Sequence, residues 1–207
     1  MKVGDKLPPE RELCIQLGIS RTALREAIRT LEAYGIVEVR QGGGTFITDR
    51  FTENVFEFLG FGDKLDYATI LQLLKARSII ESGAIESIVV TATDKDIAQL
   101  ESLTIQLKTA VEQNGTIGEL DATFHKKIIE FTNNKILMTL YQMIWKMLSH
   151  STSMVIAYPT ARNIAVHDHM EIVEKLKRRD VEESKQSVLK HLQHTEELLN
   201  TYYFDKH

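Results

Sequence analysis

The chain has 207 residues, 43% of them hydrophobic and only three of them proline, which is enough to bury a core in one large or two small domains and excludes disorder. Its net charge of −4 conceals a split: residues 1–50 carry eight Lys/Arg against seven Asp/Glu, so the acidity belongs to the remainder. A single cysteine, Cys14, excludes an internal disulfide framework or CxxC metal site, and no run approaches the roughly 20 apolar residues of a membrane span, so a reduced, cytoplasmic protein is expected.

In chain order, residues 7–18 (LPPERELCIQLG) begin with prolines suited to a first helical turn and end on Gly18, predicting a short helix with Cys14 on its buried side. Ser20 is an N-cap for a second helix, in which Leu24, Ile28 and Leu31 form an apolar stripe and Gly35 ends the run. From Ile36 the period changes to two. IVEVR and TFIT read as strands around a tip of Gln41, Gly42, Gly43 and Gly44, which gives a winged helix-turn-helix over residues 1–50.

In such a unit the second helix meets base edges while flanking groups hold phosphates. Arg21, Arg25 and Arg29 recur every four residues on one face, away from the apolar stripe. Arginine can bind guanine through two hydrogen bonds, whereas Ser20, Thr22 and the first amides of the helix suit phosphate. A glycine-rich wing tip can approach a backbone without side-chain clash. The simpler alternative is a solvated arginine face.

Residues 51–65, with Phe51, Phe56, Phe58 and Phe61, read as a linker and docking surface. Residues 66–207 then read as an all-α antiparallel bundle, with helices over 67–91, 94–113, 117–132, 134–156, 161–179 and 181–203. In the third of these Asp121 and His125 stand four residues apart and face the same way. His169 and His191 lie on the last two helices, and a bundle can bring all four residues to its interior. Three imidazoles and a carboxylate suit a divalent transition metal of the Zn, Ni, Co or Mn type, with positions open for a small-molecule carboxylate. His167 should point elsewhere, His194 shares a face with His191, and His150 and His207 have no supporting pattern. The Met and Trp145 cluster of α-helical MTLYQMIWKML reads as core or dimer interface. Arg77 has two readings: a guanidinium that holds a carboxylate in a cavity, or an intrahelical ion pair with Glu81.

The segments LPPEREL and GISRTALREAIRTLEAYGIVEVRQGGGTFI resemble the DNA-binding domain of GntR-type bacterial regulators. The resemblance to the FadR-like subgroup implies DNA contacts at Arg11, Ser20, Arg21, Arg25, Gln41 and Gly42. The bundle in turn resembles the FCD-type effector-binding domain, through Asp121, Phe124 and His125 of a D-x2-F-H motif and the 22-residue interval between His169 and His191. It implies a homodimer on palindromic double-stranded DNA, with a small carboxylate as effector. The family has a further helix ahead of GDKLP, where this chain has Met1, Lys2 and Val3. A shortened chain or misassigned start is therefore expected. Leu13, Leu17, Leu24 and Ile28 should lose cover, at about 1.5–3 kcal/mol per exposed side chain, with DNA binding weakened. The alternative function is a metal-dependent hydrolase using the same Asp/His group, although no HExxH, serine triad or phosphate loop accompanies it.

Overall fold

The computed structural model describes residues 1–58 and 66–204, without the side chains of residues 52, 56, 58, 150, 203 and 204. Phe61 and His207 therefore lie outside the described residues, as do the side chains of Phe56, Phe58 and His150. The chain divides into two compact units, Met1–Leu65 and Asp66–His207. The architecture is mainly α, with one small wing as its sheet.

In the first unit α1 (Glu10–Leu17) starts after Pro9 and ends on Gly18, whose φ of +66° is a left-handed cap that glycine adopts without penalty. Helix α2 (Arg21–Ala33) is capped by Ser20, whose Oγ accepts from the Ala23 N–H. At Gly35 φ is +67°, and a Cβ would stand 2.7 Å from the Arg50 carbonyl, so the exit from α2 requires glycine. Strands β1 (Val37–Arg40) and β2 (Gly44–Ile47) pair antiparallel, Val37 opposite Ile47 and Arg40 opposite Gly44. Lys6 adds a bridge to Phe46. Within the segment expected as linker, α3 (Phe51–Phe58) forms, and Asn54 Nδ2 donates to the Ala33 carbonyl.

Leu24, Ile28 and Val37 make the core of this unit, packed by Leu7, Leu13, Cys14 and Leu31. The expected loss of cover is thus confined to part of the set. Leu24 and Ile28 are only 4% and 8% exposed, because the first wing strand and the segment before α1 close over them. Leu17 is 59% exposed, pointing away from that cluster, and Leu13 is half-buried.

The second unit is a bundle of α4 (Tyr67–Thr91), α5 (Asp94–Glu112), α6 (Gly118–Glu130), α7 (Lys135–Ile156), α8 (Pro159–Lys177) and α9 (Val181–Leu199), followed by a π-helical turn over Asn200–Phe204. Side-chain caps from Asp66, Thr93, Asn134 and Asp180 satisfy free amides at four of the helix starts. Asn114 and Asn133 end their helices with φ near +56° and +53°, a conformation that asparagine tolerates. Proline suits a first helical turn, so α8 begins at Pro159, two residues before the expected start. Arg179 fastens the α8–α9 turn to the end of α4, donating to the Val89 and Ala92 carbonyls and the Asp94 carboxylate.

The interior is dense. Ile85, Leu100, Phe124, Ile128, Ile172 and Val188, from five helices, have no exposed surface. Helix α4 packs on α6, α7 and α9 and is buried on several sides. Arg77 and Glu81 are thereby carried into an apolar interior. Among the described residues, no helix is long and apolar enough to cross a membrane.

Candidate functional site

The first unit presents its candidate DNA-reading groups on the surface. Arg11, Ser20, Arg21, Thr22, Arg25, Gln41 and Gly42 are all exposed. Leu24 and Ile28 hold the opposite side of α2 against the core, which leaves the arginine side free. Ser20 uses an oxygen lone pair in its cap, and its hydroxyl hydrogen can still be donated to a phosphate. Arg25 Nε binds both carboxylate oxygens of Glu10, at 3.2 and 3.1 Å, and Arg29 pairs with Glu26. These are exposed pairs of small energetic weight, and a phosphate or base can displace them. Beside the wing, the Arg40 guanidinium lies 4.5 Å from the Phe46 ring centre.

In the second unit the four predicted residues converge. Asp121 and His125 project from one side of α6, His169 comes from α8 and His191 from α9. All four are buried, and their ligand atoms lie within 4.8 Å of one another. His125 Nε2 is 3.1 Å from both His169 Nε2 and His191 Nε2. Asp121 Oδ1 lies 3.4 Å from His169 Nε2 and 3.8 Å from His125 Nε2. The Phe124 ring stacks on His169 with centres 4.2 Å apart and fixes its plane. Burial lowers the pKa of His125, and lowers that of His169 further because His191 and His125 face it. Both imidazoles are thereby kept neutral, as ligands must be.

The other ring nitrogens show how the cluster is held. His125 Nδ1 is 2.8 Å from Glu81 Oε2. Glu81 Oε1 accepts from Arg77 Nε at 2.6 Å and from Tyr141 Oη at 2.8 Å. Burial alone would favour a neutral carboxyl, but the charge of Arg77 and the hydrogen bonds hold Glu81 ionised, far below the usual carboxylate range. On the other flank, Asp168 Oδ2 lies 3.3 Å from His191 Nδ1 and 2.7 Å from His194 Nδ1. Against the effect of burial, these two hydrogen bonds hold the Asp168 carboxyl at about 2. Among the described residues, His169 Nδ1 is buried without a hydrogen-bond partner.

Of the two readings of Arg77, the intrahelical ion pair is the one present. Its Nε makes this pair with Glu81, while among the described residues its Nη2 is buried without a hydrogen-bond partner. The guanidinium also lies 4.7 Å from the Trp145 ring centre. Arg77, Asp121 and His191 line a cavity of about 30 Å³ together with Thr152, His194 and Thr195 and aliphatic side chains of α7, α8 and α9. That volume suits one or two water-sized groups.

His167 is largely exposed and does not enter the cluster, as its helix position implied. His194 does share a side with His191, and its link to Asp168 went unforeseen. Asp168 and Tyr141 drew no attention in the sequence, and Glu81 only as the partner of Arg77. The only local signal for Asp168 was its place between two histidines, where adjacent positions on a helix diverge by about 100°.

Known families match both units. The FCD domain matches residues 72–194, and the gntR family of bacterial regulatory proteins matches residues 1–47. The Exu regulon transcriptional regulator of Escherichia coli K12 is 32% identical over 207 residues, covering 95% of this chain and 77% of that protein. The Uxu operon regulator of Haemophilus influenzae is 30% identical over 196 residues, covering 92% and 72%. A solved GntR structure from Streptococcus agalactiae superposes with a TM-score of 0.64 at 26% identity, over 95% of this chain and 90% of its own. These families and relatives are transcriptional regulators rather than enzymes, and they leave the hydrolase alternative without support. The chain belongs to the GntR family of transcriptional regulators, in its FadR-like subfamily, with a winged helix-turn-helix followed by an FCD effector-binding domain.

Proposed function

We propose that the chain is a ligand-responsive, homodimeric DNA-binding regulator whose effector, a small carboxylate, binds beside a divalent metal held by Asp121, His125, His169 and His191. One observation carries the metal assignment. Metal–nitrogen bonds of about 2.0–2.1 Å at angles between octahedral and tetrahedral place ligand nitrogens roughly 2.9–3.4 Å apart. The His125 Nε2 atom stands 3.1 Å from each of its two neighbours. Glu81 takes the Nδ1 hydrogen of His125 and leaves its Nε2 lone pair turned inward. A bound divalent ion of the Zn, Ni, Co or Mn type would supply a positive centre for a carboxylate oxygen. Arg77, with its unpartnered Nη2 at the cavity wall, would hold the other oxygen.

On the DNA side, Arg21 and Arg25 would read bases. Arg11, Ser20 and Thr22 would contact phosphates at the start of α2, and Gln41 and Gly42 would approach at the wing. A two-fold dimer then matches a palindromic operator. Effector binding controls DNA binding to the extent that the two DNA-binding states differ in effector affinity. The test is an equilibrium titration of chelator-stripped full chain with Zn(II), Ni(II), Co(II) and Mn(II). One site per chain is expected, weakened at least a hundredfold in Asp121→Ala, His125→Ala, His169→Ala and His191→Ala. Absence of stoichiometric binding by all four ions overturns the metal assignment.

A further inference from the structure

Asp168 supplies no atom to the four-residue cluster, yet it is only 2% exposed and meets two histidines that line the cavity, His191 and His194. Its Oδ2 faces two donors: Nδ1 of His191, at 3.3 Å, and Nδ1 of His194, at 2.7 Å. Its Oδ1 is 3.4 Å from Nδ1 of the exposed His167. An ionised carboxylate only accepts hydrogen bonds, so each Nδ1 facing Oδ2 must carry the hydrogen. A neutral ring protonated at Nδ1 has a bare lone pair on Nε2. In His191 that atom is 3.1 Å from His125 Nε2, at the cluster. In His194, which lines the cavity, Nε2 is left as a hydrogen-bond acceptor.

The three cluster histidines are not held alike. Glu81 supports His125 from within the apolar core, braced by Arg77 and Tyr141. Among the described residues, His169 has no hydrogen-bond partner at Nδ1. Only His191, among these three, shares its supporting carboxylate oxygen with a further histidine of the cavity wall. We infer that Asp168 is a positioning residue that sets the tautomer of both histidines, turning the Nε2 lone pair of His191 to the metal and presenting that of His194 as an acceptor at the cavity. The inference rests on the metal reading proposed above.

The test uses the full chain, stripped and titrated with Zn(II) against a competing chelator, together with ¹⁵N spectra of the histidine rings. In the wild-type protein His191 and His194 should both be protonated at Nδ1 and bare at Nε2 before metal is added. The Nε2–H tautomer in either ring overturns the inference without recourse to any variant. Asp168→Ala should bind Zn(II) about 10–100-fold more weakly, with both tautomers lost. Asp168→Asn, which keeps the shape and one acceptor oxygen, should recover part of that affinity, and the tautomers of His191 and His194 in the ¹⁵N spectra give the readout that a purely packing role would not move. His194→Ala should bind Zn(II) within about threefold of wild type. If the wild-type chain takes up none of Zn(II), Ni(II), Co(II) and Mn(II), the metal reading falls and this inference with it. If wild type binds and Asp168→Ala matches it with both tautomers intact, the inference alone falls.

Discussion

The two units carry function in opposite ways. The DNA-binding unit is built on a core of Leu24, Ile28 and Val37 and presents its candidate functional groups outward, with Leu17 and Ile15 also left 59% and 73% exposed. The helical unit places its candidate functional groups at the centre, where Arg77, Glu81, His125 and His169 are at most 1% exposed within the hydrophobic interior. In the first, side chains can be exchanged at the surface with little effect on folding. In the second, the site and the fold share the same residues. The lesson is that a surface reader separates stability from function, whereas a buried sensor cannot.

The sharpest way to break this contrast is Glu81→Ala. It strands the buried Arg77 guanidinium and removes the support of His125. A loss of about 3–5 kcal/mol is expected, measured by urea unfolding followed at Trp145, which lies in the helical unit. Leu24→Ala should destabilise the DNA-binding unit by about 2–3 kcal/mol, near the low end for a buried leucine because the cluster around it is small. Hydrogen exchange in residues 1–50 should register this while the Trp145 transition stays in place. Arg21→Ala should cost about 1–3 kcal/mol of operator binding in a gel-shift or anisotropy titration. Its Zn(II) affinity should be unchanged.

The pH dependence of the metal-free protein should also divide the units. His125 and His169 have pKa values below the ordinary 6.5 in the folded chain, chiefly through burial. Between the lowered and the ordinary values the unfolded chain binds more protons, so stability rises with pH and falls on acidification. The Trp145 transition should move to lower temperature as pH drops from about 7.5 to 5.5, and acid should also weaken metal binding. The smallest effect belongs to Leu17→Ala, at most about 0.5 kcal/mol, since the side chain is already 59% exposed.

Legibility in the sequence follows the same division. The winged unit was readable nearly residue by residue, because caps, stripe, glycine exit and hairpin are local signals. The exception was the cover over Leu24 and Ile28, which comes from Leu7 and Val37 across the fold. In the bundle, i,i+4 spacing exposed Asp121 and His125, and a histidine on each of the last two helices completed the group. The supporting residues were hidden by distance along the chain. Glu81 meets His125 and Tyr141 at separations of 44 and 60 residues. Asp168 meets His191 and His194 at 23 and 26. No periodicity marks such pairs, since they depend on how α4, α6, α7, α8 and α9 pack together.

The most direct test of the central claim is anomalous diffraction at the metal edge from crystals of the metal-loaded full chain. The account predicts one peak per chain, about 2.0–2.2 Å from the Nε2 atoms of His125, His169 and His191 and from an Asp121 carboxylate oxygen. A peak elsewhere, or none at this cluster from stoichiometrically loaded protein, would contradict it.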